Sequence, residues 1–160
     1  MRFQCGVYCG SFNPLHMGHV KCILQAAALC EKLILVLGNG TRRDEIDLCV
    51  RCGWVREITK HLDHVQLLVL EDDAPTKEDY TEAQWYADAE KVRGFAGQPV
   101  DALFCGSDYS EDSMWSKSYP EAEIVIFPRD GISSTKIREN PMAHLDWLPG
   151  IVRLYYETAD

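Results

Sequence analysis

Residues 3–19 read Phe-Gln-Cys-Gly-Val-Tyr-Cys-Gly-Ser-Phe-Asn-Pro-Leu-His-Met-Gly-His. The run 3–9 predicts a first β-strand, and the turn after it opens a helix. Gly10 lets the backbone approach a ligand closely, and the N–H groups and positive dipole at the helix start suit a phosphate. Because open parallel sheets bind ligands beyond the carboxyl ends of their strands, this loop predicts a ligand site.

Four further runs have the composition of strands, at residues 32–38, 64–70, 101–105 and 122–127. Several are nearly continuous apolar stretches, as in strands covered on both faces. Apolar residues at helical spacing lie between the runs. The three predicted stripes are Val20, Ile23, Leu24, Ala27 and Ala28; Ile46, Cys49, Val50, Gly53, Trp54 and Ile58; and Ala83, Tyr86, Ala87, Ala89 and Val92. This alternation predicts an α/β fold with a Rossmann-like, doubly wound, parallel five-stranded sheet, in a single domain over 1–160.

Composition narrows the classes of function. The 160 residues carry a net charge of -9, which argues against a nucleic-acid partner. The sequence has no run of 18 apolar residues and no signal-peptide pattern, so we expect a cytoplasmic protein without a membrane partner. The seven cysteines indicate reduced, structural thiols. The aperiodic, acidic segment 71–80 predicts a solvated loop.

Two histidines stand at the start of the first helix. His16 and His19 are three residues apart and should project on one side. Such a pair also arises by chance, or as part of a metal site, although no third ligand is evident. The position directly after a strand and a glycine turn favours phosphate binding. The common phosphate loops GxxxxGK[ST] and GxGxxG do not occur.

A second candidate segment follows the last predicted strand. Residues 132–141 read Ile-Ser-Ser-Thr-Lys-Ile-Arg-Glu-Asn-Pro, which predicts a serine cap and a short helix ending before a proline. The segment is either ordinary capping or an anion site, in which Arg138 is a planar fork for phosphate oxygens.

Together, the two segments resemble the signatures HxGH and ISSTxxR of the nucleotidyltransferase superfamily, at residues 16–19 and 132–138. Residues 10–14 and 104–108 resemble nicotinamide mononucleotide adenylyltransferases in particular. Residues 137–141 are similar to the adenylyltransferase domain of the bifunctional bacterial NAD regulator. The regulator's P-loop kinase domain has no counterpart here, so we expect a stand-alone enzyme or an excised domain.

The resemblance implies that the protein transfers AMP from ATP to nicotinamide mononucleotide, giving NAD and pyrophosphate. It assigns catalysis to His16, His19 and Arg138. The residues it assigns to ATP are Gly10, Ser11, Phe12, His16, His19, Gly106, Asp108, Ser133, Ser134 and Arg138. We expect no metal site built from protein ligands, because Mg²⁺ arrives with ATP and bridges its phosphate oxygens.

For the acceptor, the resemblance points to Phe12 and Asn13. Arg43 follows the second predicted strand at the same sheet edge, so it is a candidate for binding the acceptor's phosphate. Arg51 is a weaker candidate, with a solvated helix face as its alternative.

An indole face attracts a planar cation such as nicotinamide, which makes the tryptophans candidates for stacking on it. Trp115 ranks first, because it lies among polar residues after Gly106, and Trp85 ranks second. Packing is the alternative for both. Trp54 and Trp147 lie in apolar segments and are predicted to pack in the core.

Two rival functions stay open. One is another activity of the same superfamily, that of a pantetheine-phosphate adenylyltransferase or a cytidylyltransferase. The other is a non-catalytic sensor that binds NAD or another nucleotide. The sequence leaves room for a homo-oligomer and does not determine the oligomeric state.

Overall fold

Five parallel strands form the centre of the molecule. In the computed structural model, which describes residues 1–106, 112–128 and 131–158, they are β1 (Phe3–Gly10), β2 (Cys30–Gly40), β3 (Val65–Asp72), β4 (Ala102–Cys105) and β5 (Glu123–Ile126). Their spatial order is β3-β2-β1-β4-β5, and every pairing is parallel. The predicted doubly wound sheet is confirmed, and the order reverses between β1 and β4, where such sheets bind ligands.

Helices cover both faces of the sheet. They are α1 (Met17–Leu29), α2 (Leu48–Thr59), α3 (Glu82–Ala96), α4 (Met114–Lys117), α5 (Ser134–Glu139) and α6 (Gly150–Thr158). Two short 3₁₀ segments, Lys77–Asp79 and Pro141–Trp147, complete the described chain. None of the helices in the described ranges combines the length and apolar character that a membrane crossing requires.

The continuous apolar run of β2 is explained by burial on both faces. Leu33, Leu35 and Leu37 belong to one core, which includes buried residues of α1 and α2. Ile34 and Val36 point to the opposite face and belong to a second core, against α3. Strands buried on both sides lose the alternation of polar and apolar residues that marks a half-exposed strand.

The predicted apolar stripes of α1 and α3 are partly wrong. In α1, Leu24 and Ala28 are exposed, and the buried residues are His19, Cys22, Ile23, Ala26 and Ala27. In α3, Ala83, Tyr86 and Ala87 are exposed, and the buried residues are Ala89, Val92 and Ala96. The buried residues of α3 all lie in the second half of the helix, so that half packs on the sheet. The first turns come soon after the carboxyl end of β3 and are largely exposed.

The stripe predicted for α2 is also shifted. Cys49 and Gly53 are exposed, whereas Arg51, Cys52, Trp54 and Val55 are buried. The predicted core positions of Trp54 and Trp147 are confirmed, since Trp54 is buried and Trp147 packs against the same core. All seven cysteines are free thiols, and five are buried: Cys5, Cys22, Cys30, Cys52 and Cys105.

The acidic segment 71–80 is more ordered than predicted. Its first two residues complete β3, the 3₁₀ turn Lys77–Asp79 follows, and Ala74 is buried. Tyr80 donates a hydrogen bond to Asp88 of α3, and Asp72 is only 13% exposed because it pairs with Arg43. Side chains from other elements thus neutralise part of this segment, which sequence periodicity cannot reveal.

Candidate nucleotide-binding site

A cleft of about 610 Å³ opens beyond the carboxyl ends of β1 and β4. It brings together many of the residues predicted from the two signatures and from the sheet edge. Those that line it are Gly10, Ser11, Asn13, His19, Arg43, Trp85, Gly106, Trp115, Ser133, Ser134 and Arg138. The predicted ATP residue Asp108 lies outside the described residues.

His16 and His19 cap the helix start reciprocally. The His19 backbone N–H donates to Nδ1 of His16 (3.3 Å), and the His16 backbone N–H donates to Nδ1 of His19 (3.2 Å). The rings stack with centroids 3.7 Å apart. Because each Nδ1 accepts a bond, a neutral ring carries its proton on Nε2. The capping arrangement therefore presents each imidazole as an Nε2–H donor.

The glycine between the histidines is required by this stacking. A Cβ built on Gly18 would lie 2.9 Å from Cε1 and 3.0 Å from Nδ1 of His16. Any larger residue would push the His16 ring out of its position against His19. The third position of the HxGH signature thus has a steric reason.

The two histidines differ in their access to the cleft. His19 lines it, whereas His16 is 1% exposed and is not among the described lining residues. Of the two rings that were predicted to contact phosphates, only His19 lines the described part of the cleft. His16 lies behind it and fixes its orientation through stacking and the backbone bond.

Phe12 is placed differently from its predicted role as a ligand contact. Its side chain is 1% exposed and packs edge-to-face on His19, with ring centroids 5.0 Å apart. Its φ of 51° is in the left-handed region, which turns the chain sharply and points the ring into the core. Phe12 packs against the His19 ring from the core and does not line the described cleft.

The second signature is joined to the first by hydrogen bonds. Ser133 caps α5 by accepting from the Lys136 backbone N–H, as predicted. Ser134 Oγ donates to the Pro14 carbonyl (3.1 Å), and Arg138 Nη1 donates to the Asn13 carbonyl (2.5 Å). The helix start and its arginine are thereby held against the loop that carries the histidines, although more than 100 residues separate the segments.

Arg43 lines the cleft but is already paired. It forms a two-pronged ion pair with Asp72, at 2.5 Å and 2.9 Å, and also donates to the Ala74 carbonyl. The pair lowers the pKa of Asp72 and raises the pKa of Arg43, chiefly through the hydrogen bonds that join them. A phosphate at Arg43 would have to compete with this carboxylate.

Arg51 fits neither of its predicted environments. Its side chain is 1% exposed, so it is neither a phosphate ligand nor part of a solvated face. It donates to the carbonyls of Ile46 (2.8 Å) and Ser11 (3.0 Å), and to the Asn39 side chain. It also lies 3.4 Å from Asp44, a cleft residue. Arg51 is a buried brace that ties α2 to two loops of the site.

A smaller cavity of about 270 Å³ adjoins the cleft and shares Arg43, Lys77, Trp85 and Trp115 with it. The rings of Trp85 and Trp115 are 6.4 Å apart, and each also contacts a tyrosine. Trp115 is half-buried and packs against the second core, which its polar sequence neighbours did not predict. Both predicted indoles therefore meet at the wall between the two cavities.

Several cleft residues were not predicted. The described ones are Tyr8, Cys9, Asp44, Lys77, Phe104, Cys105, Ser113 and Thr135. The ends of β1 and β4 could have indicated Cys9 and Cys105, since these strand ends form the site. Burial, with a contribution from Asp88, raises the pKa of Cys9 to about 12, so this thiol stays protonated at neutral pH. Lys77 was not predicted because it lies within the acidic segment 71–80, which was interpreted as a solvated loop.

Comparison with known proteins identifies the family to which the chain belongs. Residues 7–140 match the family described as cytidylyltransferase-like. The chain is 21% identical, over 165 residues, to the trifunctional NAD biosynthesis/regulator protein NadR of Escherichia coli (strain K12); the alignment covers 94% of this chain and 40% of NadR. It is 25% identical, over 145 residues, to the phosphopantetheine adenylyltransferase of Mycoplasma mycoides, covering 85% of this chain and 95% of that protein.

A solved structure shows the same fold. The bifunctional NMN adenylyltransferase/ADP ribose pyrophosphatase of Francisella tularensis, complexed with AMP and a manganese ion, matches with a TM-score of 0.69 at 22% identity. The match covers 88% of this chain and 42% of that one, so this chain spans less than half of NadR and of the Francisella protein. The family match runs from β1 to the end of α5 and includes both signatures. The chain therefore belongs to the cytidylyltransferase-like family of the nucleotidyltransferase superfamily.

Proposed function

We propose that this protein transfers the adenylyl group of ATP to the phosphate of nicotinamide mononucleotide, releasing NAD and pyrophosphate. The observation that carries the proposal is the meeting of Trp85 and Trp115 at the wall shared by the two cavities, beside cationic side chains. Two indole faces suit a planar cationic ring, and a nearby cation suits the phosphate of the same molecule.

The proposed reaction is an in-line attack of the acceptor's phosphate oxygen on the α-phosphorus of ATP, with pyrophosphate leaving. The attacking oxygen is already an anion near neutral pH, so no general base is needed. Rate acceleration must come from positioning and from stabilising charge on the leaving pyrophosphate. An Nε2–H donor at His19 and the guanidinium of Arg138 supply such groups. We assign Ser133 and Ser134, at the start of α5, to the β- and γ-phosphates.

The remaining assignments follow the geometry of the cleft. We assign His16 to holding His19 in place, and Gly10, Ser11 and Gly106 to the ATP side. Asp108 lies outside the described residues and is assigned to the ATP side by resemblance alone. Asn13 faces the cleft and is assigned to the acceptor side. We propose that Mg²⁺ enters bound to ATP, as this ion usually does when its partners are phosphates. When bound, the ion would neutralise phosphate charge.

The test is a coupled assay for NAD formation by the purified protein with Mg-ATP and nicotinamide mononucleotide. We expect NAD and pyrophosphate in equal amounts. Parallel reactions contain ATP with 4′-phosphopantetheine, and CTP with glycerol 3-phosphate. Turnover of one of these instead of NAD formation would contradict the acceptor assignment. Nucleotide binding without any pyrophosphate release would favour the sensor.

Phosphopantetheine is the strongest competing acceptor. The Mycoplasma phosphopantetheine adenylyltransferase is matched over 95% of its length, so its size resembles that of this chain. The paired indoles favour the nicotinamide acceptor, because a flexible pantetheine arm has no aromatic ring to stack on them.

The paired indoles lead to a prediction about acceptor binding. Replacing Trp115 or Trp85 with phenylalanine should raise KM for nicotinamide mononucleotide roughly 3- to 10-fold, within the range of a lost cation–π contact, and leave KM for ATP unchanged. The wild-type tryptophan fluorescence should be quenched on titration with the mononucleotide, and less so in each variant.

Trp147→Phe is the matched control, since Trp147 stacks on His144 and does not line the described part of either cavity. It should keep wild-type quenching and KM. If Trp85→Phe and Trp115→Phe also keep wild-type quenching and KM, the indole pair only contributes to packing.

A further inference from the structure

We propose that Lys77, rather than Arg43, provides the cation that binds the phosphate of the acceptor. This inference rests on the proposed function in one respect only, namely that a phosphate-bearing acceptor enters the cleft. It assigns a specific binding role to a residue in a segment whose sequence predicted only a solvated acidic loop.

The described parts of the two cavities contain three arginine or lysine side chains. Arg138 donates to Asn13 and Thr135 and belongs to the second signature. Arg43 is held by both oxygens of Asp72. By contrast, no ion pair or side-chain hydrogen bond joins Lys77 to any other described residue, although it lines both cavities. Among the described residues, Lys77 is therefore the cavity-lining cation that an incoming anion can approach without displacing a side-chain partner.

The carboxylates of the site make this charge necessary. Asp44, Asp72 and Asp88 line the smaller cavity, and Asp44 also lines the cleft. Asp72 is neutralised by Arg43, and Asp44 lies 3.4 Å from the buried Arg51. Asp88 accepts a hydrogen bond from Tyr80, and no ion pair joins it to a cation among the described residues. A phosphate dianion entering here would be repelled by the carboxylates unless a further cation faced it. Among the described residues, Lys77 is the one that meets this need without breaking an existing pair.

The position of Lys77 suits the geometry of the acceptor. It lies on the 3₁₀ turn between β3 and α3, and it lines both cavities, as Trp85 does. A molecule whose ring stacks on the indoles would carry its phosphate towards the larger cleft, where ATP is assigned. The flexible lysine stem, with a compact ammonium group, can follow the phosphate into an in-line position.

The experiment compares an acceptor with its own dephosphorylated form. Dissociation constants for nicotinamide mononucleotide and nicotinamide riboside are measured by tryptophan fluorescence in wild type, Lys77→Gln, Lys77→Arg and Lys91→Gln. Lys91 is an exposed lysine of α3 outside the described lining of both cavities, so it is the matched control. Lys77 is also exposed, so folding should survive its replacement.

We expect Lys77→Gln to weaken binding of the mononucleotide roughly 10- to 100-fold, the range for a charged hydrogen bond. Binding of the riboside should be unchanged, Lys77→Arg should restore most of the affinity, and Lys91→Gln should match wild type. The KM for ATP should be unaffected. Equal loss for mononucleotide and riboside, or no loss for either, would overturn the proposal.

The outcome is separable from that of the proposed function. If wild type forms no NAD but adenylylates 4′-phosphopantetheine, the same comparison is made between phosphopantetheine and pantetheine. A loss confined to the phosphorylated form would then support Lys77, whereas the absence of NAD formation would already have rejected nicotinamide. If wild type binds no phosphorylated acceptor more tightly than its dephosphorylated form, the Lys77 proposal is wrong.

Discussion

Replacing His19 with alanine is expected to lower kcat by roughly 10²–10³-fold, the scale of removing one donor that stabilises transition-state charge. His19 is the histidine of the pair that lines the cleft, and its Nδ1 is held by the His16 backbone N–H. Its Nε2–H is therefore the donor that we assign to the phosphates. The KM for each substrate should change much less than kcat, since the contact strengthens as charge develops on the leaving group.

The alanine variant also loses half of the reciprocal helix cap, so stability must be separated from catalysis. His19→Gln is the matched variant, because glutamine at this position can accept the His16 N–H and restore the capping box. We expect it to recover the melting temperature of wild type but not its kcat. His61→Ala, at an exposed histidine, controls for the loss of any imidazole. A folded His19→Ala protein with wild-type kcat would show that this ring has no role in phosphate chemistry.

Replacing Arg51 with methionine should lower the free energy of unfolding by about 3–5 kcal/mol, because it removes one member of a buried ion pair and leaves the groups that the guanidinium binds without their donor. The side chain of similar length fills the space but makes no hydrogen bonds. The carbonyl of Ser11 and Oδ1 of Asn39 would lose the guanidinium that donates to them, and Asp44 would lose its ion-pair partner. Denaturant unfolding followed by circular dichroism measures this change.

Two further variants sharpen the test of Arg51. Arg56→Met, at an exposed arginine of the same helix, should change stability by less than about 0.5 kcal/mol. Asp44→Asn in the Arg51→Met background should recover part of the loss, since it removes the carboxylate left without its cation. If Arg51→Met unfolds at the wild-type denaturant concentration, the hydrogen bonds of this arginine contribute little and the brace is not structural.

The sheet and the edge at which the cleft opens could be predicted because they depend on local pattern. Apolar runs of strand length alternate with helical stripes, and right-handed crossovers leave few ways to assemble them. The strand bounds differ from prediction by a few residues, as in β2, which extends through Asn39 to Gly40. The two signatures were recognisable because each depends on a short stretch in which a helix begins, and capping is local chemistry.

The phase of each helix could not be predicted to the residue. In α1, the cap at His16 sets the rotation of the helix, and the buried face is shifted so that Leu24 is exposed. In α2, an arginine occupies a fully buried position that an apolar stripe excludes. Arg51 is accommodated there because carbonyl and side-chain oxygens from three other segments converge on it, and these segments meet only in the folded chain.

The sequence by itself determined the class of fold, the sheet edge at which the cleft opens, and the signature side chains expected there. Only the tertiary structure decided which of them reach the cleft: His19 does and His16 does not, Phe12 turns into the core, and Arg43 is engaged by Asp72. The physical reason is that whether a charge or a ring is available to a ligand depends on its neighbours in space. For Arg43 that neighbour is Asp72 of β3, 29 residues along the chain, which leaves no local pattern at Arg43. For His16 and Phe12 the neighbour is His19, close in sequence, but which ring is covered depends on how the three rings pack in the fold.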